Sequence, residues 1–374
     1  MIGFIGLGAA GSNVADEAAS RDYPAIAINY SQRDLDSLEY IEERLKLVGS
    51  EGVGKNREAA SRLMSKNWES AVSFVQENFS SPSIEIIFVC FSTGGGSGSG
   101  IAPVLLEILH GELPDKVFVA VPILPDLSEV LPNQINSIQS GEELCGLDMC
   151  VLPLDNEQVR KQYATLNLPK NKLFHKTNTL FIDSIERVLS FTTKESKNGV
   201  LDEKDLLTIF STKGVASIGI ATITDVNEHS EEAAPQFIAD KITAAWKESI
   251  FSPIEMNQVF RAGVVLNAPE SFIDYINMKT IFGGFRNGMP VDLFEGYYHN
   301  DEYTLCVILS GLSWYRTRLG ETEEVVESMK KNAEQLLTKN EVYKSKTNTS
   351  IGLRAQEKKA TKKKNIQDIL KKYK

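Results

Sequence analysis

Gly94-Gly95-Gly96-Ser97-Gly98-Ser99-Gly100 is the stretch on which the reading of this chain turns. It follows an apolar, β-branched and aromatic run at 84–91, broken only by Glu85, and precedes a helical pattern at 101–110. A run of that kind reads as a strand buried on both faces. Glycines and two small hydroxyls between a strand and a helix can wrap backbone N–H groups around two or three phosphates. The helix that follows adds its free N–H groups and the positive end of its dipole. A serine–glycine linker shares the composition, but a linker is not set between a strand and a helix.

A second glycine motif lies at the start of the chain. Gly6-Leu7-Gly8-Ala9-Ala10-Gly11 is GxGxxG, placed after a short strand at 2–5 and opening a helix at 11–20. Alone it is the dinucleotide fingerprint and suggests an NAD(P)-dependent dehydrogenase. Two observations oppose that class. The acid expected at the end of the second strand is replaced by Asn29, followed by Tyr30, Ser31 and Gln32. A hydride carrier also has no use for a second, richer phosphate loop. Two such loops on neighbouring strand ends suit a nucleoside triphosphate.

Outward from these loops the first half alternates. Strands are expected at 25–28, 45–48, 84–91, 117–123 and 149–152, and helices at 34–44, 57–78, 101–110 and 134–144. This rhythm predicts a parallel sheet covered on both faces. A longer helix is expected at 173–192, with Phe174, Phe181, Ile185 and Val188 on one face. Beyond it, strands at 215–223, 259–266 and 303–309, with helices at 233–249 and 271–279, give a mixed second unit. A last helix is expected at 321–339 and a polar linker at 344–350.

Composition sets the outer bounds. The chain has 374 residues, 42% hydrophobic and 24% charged, which suits a globular protein of about two domains. The longest apolar stretch falls well short of the roughly 18–20 residues of a membrane helix. No export signal is visible, and Cys90, Cys145, Cys150 and Cys306 form no CxxC pair. They read as reduced core residues, and a cytoplasmic location without membrane attachment is expected. Charge is uneven. Residues 354–374 hold nine basic and two acidic side chains, a tail of +7 on a body of −17 within a chain of −10.

The loop at 94–100 resembles the glycine-rich loop of the tubulin/FtsZ superfamily, and the resemblance extends over most of the chain. Gly8, Ala9, Ala10, Gly11, Ser12 and Asn13 resemble that family's first phosphate loop, with alanines at two glycine positions. Asn29 falls in the second loop, and residues 52–56 (Gly-Val-Gly-Lys-Asn) resemble the third. The proline-rich stretch 122–132 falls where the ribose loop sits, with Glu129 or Asp126 as its acid. Asn156, in Leu-Pro-Leu-Asp-Asn, and Asn178, on the central helix, fall where the family reads guanine. Thr179 stands where an Asp is frequent, so one two-acceptor group is missing. The resemblance implies an α/β fold with a GTP-binding domain at 1–171, a central helix at 172–198, a second α/β domain at 199–318, and a C-terminal helix and tail at 319–374. GTP or GDP with Mg²⁺ is the implied ligand.

The family's activity implies a site shared between two subunits stacked head to tail. Val200-Leu201-Asp202-Glu203-Lys204-Asp205 resembles the catalytic loop NxDxxD, with Val200 in place of the Asn. Asp202 and Asp205 are the expected catalytic carboxylates. Their spacing equally suits a helix N-cap and first turn. At the other end, Ile366, Ile369, Leu370 and Tyr373 form one apolar stripe beside Lys362, Lys363 and Lys364. That ending resembles the TubZ branch, which partitions plasmid or phage DNA. It implies a tail that docks on a DNA-binding adaptor, with DNA engaged indirectly. A cytokinetic FtsZ-like role is the alternative.

Overall fold

The alternation seen in the sequence becomes one sheet. The computed structural model describes residues 1–196, 199–222, 233–299 and 302–338. In chain order its first half runs β1 (Ile2–Leu7), α1 (Gly8–Ala19), β2 (Ala25–Asn29), α2 (Gln32–Asp36), β3 (Arg44–Lys46), α3 (Arg57–Asn78), β4 (Ile86–Ser92), α4 (Ser97–Glu112), β5 (Val117–Leu124), α5 (Leu131–Cys145), β6 (Cys150–Val151) and β7 (Leu154–Asp155). The second half runs α6 (Asn156–Gln162), α7 (Lys170–Thr192), α8 (Glu203–Phe210), β8 (Gly214–Thr222), α9 (Ala234–Lys247), β9 (Arg261–Asn267), α10 (Glu270–Ile273), α11 (Met278–Phe282), β10 (Asp292–Tyr298), β11 (Thr304–Leu312) and α12 (Arg316–Thr338).

Among the described residues the strand order is β10-β9-β11-β8-β6-β5-β4-β1-β2-β3, with β7 paired to β5. From β3 to β6 every pairing is parallel. Beyond β8 the sheet is mixed: β11 is antiparallel to β8 and β9, while β10 is parallel to β9. The expected α/β architecture, a parallel portion of the sheet followed by a mixed one, is therefore observed. Residues Met1–Lys331 form one compact unit and Asn332–Lys374 a second, of which only the end of α12 is described.

Strand β4 shows why an unbroken apolar run was needed. Ile86, Phe88 and Cys90 face a core containing Val14, Ala18 and Phe181. Ile87, Val89 and Phe91 face the opposite core, with Met64, Leu105 and Leu109. Helix α7 fills the first core. Phe181 meets Phe4, Phe88 and Phe251 edge-on at 6.4, 6.1 and 6.4 Å, so truncating it should cost about 3–5 kcal/mol.

Two expected helices are corrected. The pattern at 34–44 yields only the five-residue α2. The Asp16 carboxylate captures the N–H groups of Glu39, Tyr40 and Ile41 at 3.1, 2.9 and 2.9 Å. The Arg44 guanidinium takes the carbonyls of Leu35, Leu38 and Ile41. Side chains therefore satisfy the backbone of a loop that helical bonds would otherwise close. The helix expected at 271–279 is two short ones, because Asn277 caps a new start through Thr280 N–H at 3.1 Å. Strand β10 was not anticipated. Cys90, Cys150 and Cys306 are buried as expected, whereas Cys145 is exposed.

Candidate functional site

At the C-terminal ends of β1, β4 and β5 the loops border a cleft of about 590 Å³, a size typical of small-ligand sites. It is lined by Gly8, Ala9, Ala10 and Asn13, by 52–55, and by Gly95, Gly96, Ser97 and Gly98. It is lined as well by Glu129, Asn133, Asn156, Lys170, Phe174 and Asn178. The glycine loops offer backbone and small polar groups with the Lys55 side chain; the remaining residues offer amides, a carboxylate, the Lys170 side chain and an aromatic ring.

Glycine lets the loops meet. Gly8 has φ +69°, and a Cβ there would lie 2.7 Å from Gly98 N. Two phosphate-type loops thus touch backbone to backbone, which any side chain would prevent. Gly11 and Gly100 act from behind. A Cβ on Gly11 would come within 1.9 Å of Cys90 O, and one on Gly100 within 2.3 Å of Arg57 O. They allow α1 to press on β4 and α4 to press on α3, and neither lines the cleft.

Other expected residues brace the loops. Ser99 Oγ donates to Gly95 O, and Ser12 Oγ donates to Gly6 O at 3.4 Å. Asn136 Nδ2 reaches Lys55 O, Gly94 O and Gly95 O at 3.0, 3.3 and 3.2 Å, joining the loop at 52–56 to the glycine-rich loop. Arg57, paired to Glu143 at 2.6 Å, donates to Ser99 O at 3.2 Å. Asn29 lies beneath the cleft. Its Oδ1 accepts from Tyr30 N at 2.8 Å and its Nδ2 donates to Asp34 Oδ2 at 3.1 Å, so Ser31 and Asp34 line the cleft in its stead.

At the ribose-type loop the two candidate acids separate. Asp126 closes its own turn by accepting from Ser128 N at 2.8 Å. Glu129 faces the cleft, accepts from Asn133 Nδ2, and lies 3.4 Å from Lys170 Nζ. Asn156 opens α6, capped by Asp155 through Glu157 N–H at 3.0 Å. Thr177 Oγ1 donates to Asn156 Oδ1 at 3.0 Å and so orients that amide. Helix α7 contributes Lys170, Phe174 and Asn178, four residues apart and hence on one face. Thr179 does not line the cleft.

Asp202 and Asp205 lie elsewhere. Asp202 Oδ1 accepts from Lys204 N and Asp205 N at 2.8 and 2.9 Å, and Asp205 Oδ2 accepts from Asp202 N at 3.0 Å, a complete capping box for α8. Burial pushes the Asp205 carboxyl above the usual carboxylate range, and the Asp202 charge adds to that. The start of α8 lines a hollow with Met1, Ile2 and Ile86, at the N-terminal edge of β1 and β4. The six residues of β1 span about 20 Å, so the acids and the cleft are at opposite edges of the sheet. Gly199, at φ +100°, and the Tyr298 hydroxyl, 3.1 Å from Leu201 N, hold the loop there.

Several lining residues escaped the sequence reading: Ser31, Asp34, Asn133, Lys170 and Phe174. The spacing of Lys170, Phe174 and Asn178 was a usable signal. Phe174 shares a helix face with Phe181 and so reads as core in the sequence, but in the structure it lines the cleft. Lys362, Lys363, Lys364, Ile366, Ile369, Leu370 and Tyr373 lie outside the described residues. Among the described residues no helix is long and apolar enough to cross a membrane.

Residues 1–164 match the family model described as the tubulin/FtsZ family, GTPase domain. The tubulin-like protein TubZ of Clostridium botulinum C phage is 27% identical, covering 90% of this chain and 86% of that protein. The tubulin-like protein CetZ of Pyrococcus furiosus is 26% identical, covering 91% of this chain and 92% of that protein. Among solved structures, a GTPγS-form protofilament of Bacillus thuringiensis serovar israelensis TubZ superposes with a TM-score of 0.76 at 18% identity, covering 90% of this chain and 94% of that one. At that identity the likeness shows the shared fold.

Proposed function

This chain belongs to the tubulin/FtsZ superfamily of tubulin-like, filament-forming GTPases, and we propose on that premise that it polymerises head to tail, hydrolyses GTP where two copies meet, and moves plasmid or phage DNA through an adaptor held by its C-terminal tail. The observation that carries the nucleotide reading is the cleft itself, whose lining combines two glycine loops with amides, a carboxylate and an aromatic ring in one space.

In this reading Gly8, Ala9, Ala10 and Asn13 with Gly95–Gly98 surround the phosphates. Their N–H groups stabilise the charge that develops in transfer, already oriented before reaction. Glu129 accepts from ribose hydroxyls, Phe174 stacks on the base, and Asn156 and Asn178 address the guanine edge. Mg²⁺ suits the cleft's hard oxygen donors: the Asp34 carboxylate, together with the phosphates, would hold it. Bound there, it would neutralise phosphate charge.

The carboxylates stand about one strand length from the cleft of their own copy. A second copy stacked on the same axis would bring Asp202 and Asp205 to its neighbour's γ-phosphate. There a carboxylate can orient the attacking water and take its proton. Solved relatives described as protofilaments in GTPγS and GDP forms support this arrangement. We further propose that residues 1–171, 172–198, 199–318 and 319–374 act as nucleotide domain, central helix, activating domain and partner-binding end, in the cytoplasm.

The test is right-angle light scattering as GTP is added, with phosphate release in the same cuvette and Asp202→Ala alongside. Scattering with wild-type protein, and assembly without phosphate release in the variant, is expected; neither signal with GTP would refute the reading. Deleting residues 354–374 should abolish adaptor binding and spare hydrolysis. Retained adaptor binding would refute the partition role.

A further inference from the structure

Arg318 belongs to α12 and is 1% exposed, and its partner Asp155 is completely buried. The guanidinium forks onto the carboxylate, Nε to Oδ2 at 2.8 Å and Nη2 to Oδ1 at 3.2 Å. Nη2 also donates to Pro125 O at 2.7 Å, and Nη1 to Thr322 Oγ1 at 2.6 Å. Burial pushes the Asp155 carboxyl upward, and the Arg318 charge opposes that.

The two anchor points matter more than the pair. Pro125 opens the loop that carries Glu129, and Asp155 immediately precedes Asn156. Those two residues line the cleft. Glu157 adds a second tie by accepting from Leu127 N at 3.1 Å. A buried ion pair is a poor way to attach a helix, because desolvation offsets most of its attraction and apolar side chains would hold α12 as well. A rigid planar fork that satisfies two segments at once does what apolar contact cannot: it sets a distance.

We propose that Arg318 is a positioning residue for nucleotide recognition, setting the spacing between the Glu129 loop and the Asn156 helix and so the fit of the cleft to ribose and base. The proposal rests on the reading of the cleft as a GTP site. It separates the two ends of that cleft: loss of the fork disturbs the base end and leaves the phosphate loops as they are. Because α12 carries the chain toward the tail, the same contact ties the C-terminal helix to base recognition.

The experiment compares full-length wild-type, Arg318→Lys and Thr322→Val proteins. Steady-state phosphate release is measured against GTP and against ITP, which lacks the exocyclic amine, with a melting curve for each protein. Lysine keeps the charge and loses the fork. The KM for GTP should rise about tenfold, the size of one lost charge-assisted hydrogen bond. The kcat should stay within about twofold, and the GTP-to-ITP preference should shrink. Thr322→Val frees one donor without exposing a buried charge, so it remains informative where Arg318→Lys fails to fold. It should move KM and preference the same way by about two- to threefold. Unchanged KM and preference with a lowered melting temperature would mean a purely structural pair and would overturn the proposal. A wild-type protein that does not turn over GTP would overturn the cleft reading itself, and this proposal with it.

Discussion

Asp202→Asn separates two roles that the wild-type side chain combines. As an N-cap, Asp202 satisfies two N–H groups at 2.8 and 2.9 Å, and Asp205 returns the bond at 3.0 Å. Asparagine retains an acceptor oxygen and ranks with aspartate as a cap, so Asp202→Asn should change stability by less than about 1 kcal/mol. Alanine loses the cap at a cost of about 1 kcal/mol, roughly 2 °C in melting temperature for a chain of this size. A carboxylate that orients or deprotonates the attacking water contributes about 10²–10⁴-fold in rate. Stability and rate therefore diverge: Asp202→Asn should melt near the wild type yet release phosphate at least about 100-fold more slowly. Scattering at saturating GTP should show polymer that forms and persists. Phosphate release, scattering and melting curves on wild type, Asp202→Asn and Asp202→Ala make the comparison. If Asp202→Asn hydrolyses GTP at the wild-type rate, the capping box is all that this residue supplies, and the split-site mechanism is refuted at its central carboxylate.

Four further outcomes are expected. Gly98→Ala would place a Cβ 2.8 Å from Leu7 O; GTPγS binding by equilibrium dialysis should weaken at least about tenfold, and unaltered binding would refute the loop-to-loop contact as a requirement. Phe174→Ala should weaken GDP binding by about 1–3 kcal/mol while leaving inorganic triphosphate binding unaffected; an equal loss for both would place the ring away from the base. Glu129→Gln removes the partner of Lys170 and a strong acceptor, so the preference for GTP over its 2′,3′-dideoxy analogue should fall by about tenfold in KM, and an unchanged ratio would argue against ribose contact. Glu157 is buried, which raises its pKa, but Arg160 and the Leu127 N–H outweigh that and hold it below the ordinary 4.5. A depressed folded pKa means that stability is present above that value and lost as pH falls through the depressed one. Melting temperature should therefore drop more steeply below about pH 4.5 in wild type than in Glu157→Gln; parallel curves would refute the assignment.

Much of the site could be read from the order of residues, because its chemistry is local. A strand, a glycine run and a helix N-terminus are contiguous, so 94–100 and 6–11 could be read as two strand-to-helix glycine loops bordering one site, and alternation of period declared the parallel sheet. The continuous apolar run of β4 requires cover on both faces, and the structure supplies it. What sequence order could not decide was where helices yield to side chains from elsewhere, as at Asp16 with residues 39–41, and which glycines face a ligand. Gly11 and Gly100 have the same identity as Gly95, yet a carbonyl on another element lies beneath each of them, whereas a Cβ on Gly95 would meet nothing within 4 Å. The choice between Asp126 and Glu129 turned on a single turn closing upon itself. The Asp155–Arg318 contact joins residues 163 positions apart, and no local pattern encodes a partner at that distance. Local backbone geometry follows from neighbouring residues; the direction in which a side chain points, and the edge of the sheet on which Asp202 comes to lie, follow only once distant segments have packed.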